Sequence, residues 1–198
     1  MYKLLGRATS GNVQKVIFLL KEINAAHERV DYGRQFENTT TPQYLAMNPT
    51  QKVPTLVDGD LSIWESHTIL RYVAAKEKSA LLPTDLAARS QVERWMDWLL
   101  AALNSAYLGG FRDAKKPEAE RAPDTVKNLA AELAILEKQL AQNAWVAGAD
   151  FSLADIALGP IVKRCVAFPF DLPATPHIAA WLAKLAERPA FVAATAAA

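Results

Sequence analysis

The periodicity of this chain changes once, and that change constrains the fold more than any other feature. As far as Lys78, short β-prone runs alternate with stretches of helical spacing. Past Leu81-Leu82-Pro83-Thr84-Asp85 the sequence is rich in Ala and Leu and offers no convincing strand. Alternation with period two and apolar spacing of i, i+3, i+4, i+7 belong to different elements. The chain therefore reads as an α/β region followed by an all-α region, with bounds 1–78 and 89–198 and a linker at 79–88. Its 198 residues, about half of them apolar, are enough for two small cores.

In the first region, residues 2–6 form a short apolar run. Val13, Val16, Ile17 and Leu20 then fall at helical spacing, with Ser10 where that helix begins. Residues 29–32 read as a second strand, and residues 41–47 as a short helix with Pro42 in its first turn. Residues 55–57 and 61–64 flank Asp58-Gly59-Asp60, a hairpin signal because glycine adopts positive φ readily. Ile69, Leu70, Tyr72 and Val73 follow at helical spacing, so the order is βαβαββα.

In the second region Val92, Trp95, Met96, Leu99, Leu100 and Leu103 mark one long helix, and Leu129, Leu133, Leu136 and Leu140 another. Trp95, Trp98 and Cys165 read as core. Ser152-Leu153-Ala154-Asp155 supplies an N-cap serine with an acid at N3, and Phe151 and Ile156 occupy the staple positions around it. A cap of this kind contributes about 1 kcal/mol, a folding role rather than a catalytic one. After Phe191-Val192 the alanine-rich tail gives no obvious further helix.

Composition removes several function classes. Lys plus Arg number 22 against 21 Asp plus Glu, which supplies no broad field for nucleic acid. The single Cys165 cannot close an internal disulfide and fits the reducing cytosol. Lys3 and Arg7 interrupt the N-terminus before any signal-peptide core develops, and no apolar stretch reaches membrane-spanning length. His27, His67 and His177 have no metal-ligand spacing, so no metal is expected.

Two segments carry chemistry. Gln51-Lys52-Val53-Pro54 leads into a strand. The Val53-Pro54 bond is either an ordinary trans proline or a cis bond that turns the Val53 N–H and C=O outward, where an extended peptide can pair with them. In Glu65-Ser66, Ser66 as N-cap offers a hydroxyl and helix N–H groups to a carboxylate, while Glu65 can accept from an ammonium. An α-amino acid has both groups. The plainer role is an N-cap with an acidic neighbour.

Taken in order, Ser10 at the first helix, the Lys52-Val53-Pro54 loop, Glu65-Ser66 and the Ser152 to Asp155 cap resemble a cytosolic glutathione transferase over nearly the whole chain. The residues from Ser10 to Val16 are similar to the serine-type first helix of the theta and phi classes and their bacterial relatives. The resemblance implies a thioredoxin-like N-terminal domain, an all-helical C-terminal domain, a cis Val53-Pro54 bond and a homodimer. Helices starting at Ser66 and Arg89, with Arg94, Trp95 and Trp98, would supply its interface. Glutathione is then a co-substrate, and no other cofactor is required.

Within that resemblance Ser10 aligns with the serine that activates the thiol, and Asn12 or Thr9 are alternative donors. Gln51, Lys52, Val53, Pro54, Glu65 and Ser66 would bind glutathione. Phi-type sequences carry basic residues where this chain has Thr39, Thr40 and Thr41, which leaves the glycine carboxylate to Lys52, with Gln51 or Arg34 as weaker candidates. Thr9, Asn104, Tyr107, Leu108, Phe111 and Arg112 would line an electrophile pocket, Arg112 favouring an anionic group.

An unperturbed thiol has a pKa of about 8.5, and lowering it by ~2 units takes about 2.7 kcal/mol of preference for the anion. A charge-assisted bond from Ser10 gives roughly 1.5 to 3 kcal/mol and a helix N-terminus roughly 0.3 to 2 more. The expected reaction is conjugation of the thiolate to small electrophiles. Peroxide reduction, dehalogenation, isomerisation and a non-enzymatic binding module of the same fold stay open.

Overall fold

A computed structural model describes residues 1–197, which divide into two compact units. The first comprises Met1–Leu82 together with the segment from Glu187, and the second is Pro83–Ala186.

The first unit contains β1 (Tyr2–Leu5), α1 (Gly11–Glu22), β2 (His27–Val30), α2 (Pro42–Met47), β3 (Thr55–Asp58), β4 (Leu61–Trp64) and α3 (Ser66–Lys76). One mixed sheet runs in the order β2-β1-β3-β4, with β1 parallel to β2 and antiparallel to β3. Gly59, at φ 61°, closes the β3–β4 hairpin. This is the thioredoxin-like arrangement that the βαβαββα order implies. Leu4 and Leu56 are fully buried in the sheet, as are Val13, Val16 and Leu20 on α1 and Ile69, Leu70 and Val73 on α3.

The second strand lies at His27–Val30 rather than at 29–32. Register with β1 pairs Tyr2 with His27 and Leu5 with Val30, and β1 ends there. Tyr32 instead stacks on Tyr44, with ring centroids 5.1 Å apart, and its carbonyl accepts from Arg7 N–H.

The second unit is helical: α4 (Leu86–Trp98), α5 (Asn104–Asp113), α6 (Thr125–Leu140), α7 (Leu153–Val166) and α8 (Pro176–Ala186). Asp85 accepts from Ala88 N–H at 2.8 Å and caps α4, so this helix starts before Arg89. The units part after Leu82, and the long 79–88 linker is replaced by a capped turn. A π-helical turn at Leu99–Leu103 joins α4 to α5. Val92, Met96, Leu99, Leu103, Leu129, Leu133 and Leu136 form the core. Trp95 and Trp98 lie outside that core. They are half-buried and meet edge to face at 5.3 Å, and Trp98 Nε1 donates to Glu132.

The tail also departs from the sequence reading. Pro189–Thr195 forms α9, which packs on α1 and places Phe191 against Phe18 at 5.2 Å. Arg188 pairs with Glu22 beside it. Residues from Glu187 onward thus belong with the first unit and not with the helical region 89–198, because small alanines let this short helix lie close to α1. Among the described residues, no helix is long and apolar enough to cross a membrane.

Candidate functional site in the first unit

The end of β1 and the start of α1 approach closely. A Cβ on Gly6 would lie 2.5 Å from Val13 Cγ2, so only glycine lets the strand turn directly under the helix. This turn delivers Ser10 to the N-cap, with extended backbone at φ −82° and ψ 123°. Its carbonyl accepts from Gln14 N–H at 2.9 Å, but its side chain makes no capping hydrogen bond. Asn12 is exposed in the first turn, and its Oδ1 accepts from Ser66 Oγ at 3.5 Å. Asn12 therefore meets Ser66, whereas the Ser10 hydroxyl makes no capping bond among the described residues. Thr9 precedes them and is exposed.

The loop before β3 is shaped by a residue the sequence reading passed over. Asn48 is 1% exposed, and its Nδ2 donates to Lys52 O and to Thr55 Oγ1, both at 2.9 Å. Its Oδ1 accepts from Thr50 N at 3.0 Å and Thr50 Oγ1 at 2.7 Å. The Tyr44 hydroxyl donates to Lys52 O at 2.6 Å. These bonds leave the Gln51 and Lys52 side chains exposed, with Gln51 at φ 59°. The available signal was Asn48 itself, a polar residue ahead of Pro49 whose amide can bond its own loop.

The Val53-Pro54 bond is cis. Because β3 starts at Thr55, the Val53 N–H and C=O stand outside the sheet ladder. Arg34 is exposed at φ 45°, and Thr41 caps α2 by accepting from Tyr44 N–H.

Glu65, not Ser66, is the N-cap of α3. Its carbonyl accepts from Ile69 N–H at 2.9 Å, which starts the helix one residue before the expected cap. It holds φ 68° and ψ 117°, uncommon for a non-glycine residue, and its side chain is exposed. Ser66 is the first helical residue and is 2% exposed. A carboxylate at this end would meet the first-turn N–H groups and the Ser66 hydroxyl, with Glu65 beside it for an ammonium.

Behind Ser66 stands a second pairing that apolar spacing does not reveal. Lys15 Nζ and His67 Nε2 are 3.1 Å apart, and both residues are buried. Burial pulls the Lys15 ammonium down to about 7, and the charge of Glu65 opposes that shift.

The residues expected to face an electrophile divide. Thr9 lies in the first unit, and the other five lie on α5 in the second. Asn104 opens α5 half-buried, while Leu108 and Arg112 are exposed. Tyr107 is buried and stacks on Phe168 at 6.1 Å, with Phe111 at 6.2 Å. Phe168 and Phe170, 5.6 Å apart, extend this aromatic group from beyond α7. Cys165 is buried and its thiol is pushed up to about 12 by burial.

Comparison with known proteins identifies the family. The family model for the glutathione S-transferase N-terminal domain matches residues 1–75, and that for the C-terminal domain matches residues 67–189. Glutathione S-transferase GstB of Escherichia coli K12 is 35% identical over 198 residues, covering 96% of this chain and 95% of its own. Glutathione S-transferase 3 of Zea mays is 34% identical, with 96% and 90% covered. A theta class glutathione S-transferase from Xanthomonas axonopodis pv. citri, solved with glutathione bound, superposes with a TM-score of 0.91 at 35% identity, covering 98% of this chain and 96% of that one. With both domain models matched in order and relatives aligned along almost its full length, the chain belongs to the glutathione S-transferase family.

Proposed function

We propose that this glutathione transferase activates the thiol of bound glutathione with the Ser10 hydroxyl and conjugates the thiolate to small hydrophobic electrophiles. The observation that carries the reading is the state of Ser10. It has the backbone of a helix-capping serine but makes no capping bond. Its O–H can therefore donate to a ligand sulfur at a helix N-terminus, where negative charge is favoured. Asn12 is the second donor.

The γ-glutamyl end binds at Glu65 and Ser66, the cysteinyl backbone pairs with Val53 beside Pro54, and Lys52, with Gln51, receives the glycine carboxylate. The thiolate sulfur attacks an electrophilic carbon and forms the C–S bond as a leaving group departs. Thr9, Asn104, Tyr107, Leu108, Phe111 and Arg112 are the proposed electrophile contacts. Glutathione is the co-substrate, and no further cofactor or metal takes part.

The protein acts in the cytosol as a homodimer. Half-exposed Trp95 and Trp98 with exposed Arg94 give α4 a face suited to a partner. The buried Trp95 Nε1 has no hydrogen-bond partner among the described residues.

A thiolate absorbance titration of the glutathione complex should give a bound-thiol pKa near 6.5, about 2 units below the unperturbed value. Turnover of chloronitroaromatic, halide, isothiocyanate or peroxide substrates would then identify the reaction. Binding with an unshifted thiol and no turnover of any of these would leave a binding module. Calorimetry on Glu65→Ala and Ser66→Ala should show weakened binding with little change in thiol pKa. Unchanged affinity in both would remove them from the site.

A further inference from the structure

Gln14 carries no role in the reading above, although it is fully buried one turn into α1. Its Nε2 donates twice, to Ala8 O and to Ala197 O, each at 3.0 Å. A primary amide has two N–H donors, and here both are aimed at main-chain carbonyls. One carbonyl lies in the loop ahead of Ser10, and the other follows α9, 183 positions along the chain from Gln14. All of these residues belong to the first unit. The α1–α9 contact is fixed separately by Phe18 against Phe191 and by Arg188 on Glu22, so the Ala197 carbonyl is a firm anchor.

The loop that delivers Ser10 is pinned on both sides of Ala8. Arg7 N–H donates to Tyr32 O at 3.1 Å, Ser10 N–H donates to Arg7 O at 3.2 Å, and Ser10 O accepts from Gln14 N–H at 2.9 Å. Between these points the Gln14 side chain holds the Ala8 carbonyl. That carbonyl belongs to the peptide plane joining Ala8 to Thr9, so its direction sets how the chain enters the Ser10 N-cap. A hydrogen bond weakens steeply as its angle departs from linear, and a displaced catalytic group loses rate. The Gln14 amide is neutral and brings no charge to a thiolate, so its influence passes through geometry.

We propose that Gln14 is a positioning residue for thiol activation. By tying the Ala8 carbonyl to the Ala197 carbonyl it braces the Ser10 loop against the C-terminal segment and fixes the line along which the Ser10 hydroxyl meets the glutathione sulfur. This inference rests on Ser10 as the thiol donor, as proposed above.

A double-mutant cycle read by thiolate absorbance of the glutathione complex tests it. Gln14→Met, close in volume and without donors, should raise the bound-thiol pKa by about 0.5 to 1 unit. The thiolate fraction at pH 7, and turnover with it, should fall about 1.5- to 3-fold. Glutathione affinity should stay within about twofold of the parent, because the residues proposed to hold the peptide are untouched. In the Ser10→Ala background the same substitution should add no more than about 0.3 unit. Gln14→Asn keeps an amide but is one carbon too short to span both carbonyls, and it should raise the pKa as well. A shift of equal size with and without the Ser10 hydroxyl would place the effect outside Ser10 and overturn the proposal. A parent-like pKa in Gln14→Met would overturn it too. Loss of the fold in both Gln14 variants, read by circular dichroism, would make Gln14 a purely structural residue, with the same consequence. If Ser10→Ala itself keeps the parent pKa, the Ser10 assignment fails first and takes the inference with it.

Discussion

Ser10 and Ser152 occupy the same position in two helices and do opposite things. Both are N-caps in extended conformation, at φ −82° and ψ 123° for Ser10 and φ −145° and ψ −179° for Ser152. Ser152 Oγ accepts from Ala154 N–H, and Asp155 at N3 accepts from Ser152 N–H at 2.9 Å. Asp155 also takes bonds from Val146 N–H and Trp181 Nε1, each at 2.9 Å. At the start of α1 the corresponding N3 residue is Val13, fully buried against Gly6. It has nothing to return to the cap. One helix end is closed on itself, whereas the other has no side-chain capping bond among the described residues and is the end proposed to meet the thiol.

Substitution should separate the two ends most clearly at Asp155. Asp155→Ala leaves the Val146, Ser152 and Trp181 donors unpartnered. At roughly 1 kcal/mol or more for each, the loss should reach about 3 kcal/mol in denaturant titration. A loss below about 1 kcal/mol would mean that the closed end is held by packing alone.

The next largest effect belongs to the open end. Ser10→Ala should raise the bound-thiol pKa by about 1 to 2 units through loss of a charge-assisted bond of roughly 1.5 to 3 kcal/mol. Neutral-pH turnover should fall with it and glutathione affinity should change little. Thiolate absorbance measures the shift. Asn12→Ala belongs in the same experiment, since a shift there and none in Ser10→Ala would move the donor to Asn12.

Ser152→Ala should cost about 1 kcal/mol of stability, the usual worth of a cap. It should leave the thiol pKa unchanged. The smallest effect sharpens the contrast most: Ser10→Ala should alter stability by no more than about 0.5 kcal/mol, because no capping bond is lost. Equal losses of stability at the two serines would show that Ser10 caps its helix after all.

The features legible in the sequence were those that neighbours along the chain specify. The hairpin followed from Gly59 between two short β-prone runs, and the Ser152–Asp155 cap from a three-residue spacing, because both bond patterns close within a few residues. The helices of both units followed from apolar spacing, which reports the face a helix buries. Spacing does not report what meets that face. Lys15 reads as an ordinary polar residue between Gln14 and Val16 until α3 brings His67 onto it across 52 positions. The alanine-rich tail reads as an ending until Phe191 reaches Phe18, and the Asn48 network needs Thr55 and the Lys52 carbonyl folded back around it.

The order of elements and the Ser152–Asp155 cap were therefore determined by sequence alone, which also supplied Ser10, Val53, Pro54, Glu65 and Ser66 as the residues proposed for the site. Tertiary structure decided that Asn12 meets Ser66 and that Lys15 lies buried against His67. Each of these depends on contacts between segments distant in sequence, whose energies come from burial and bond geometry that no local pattern encodes.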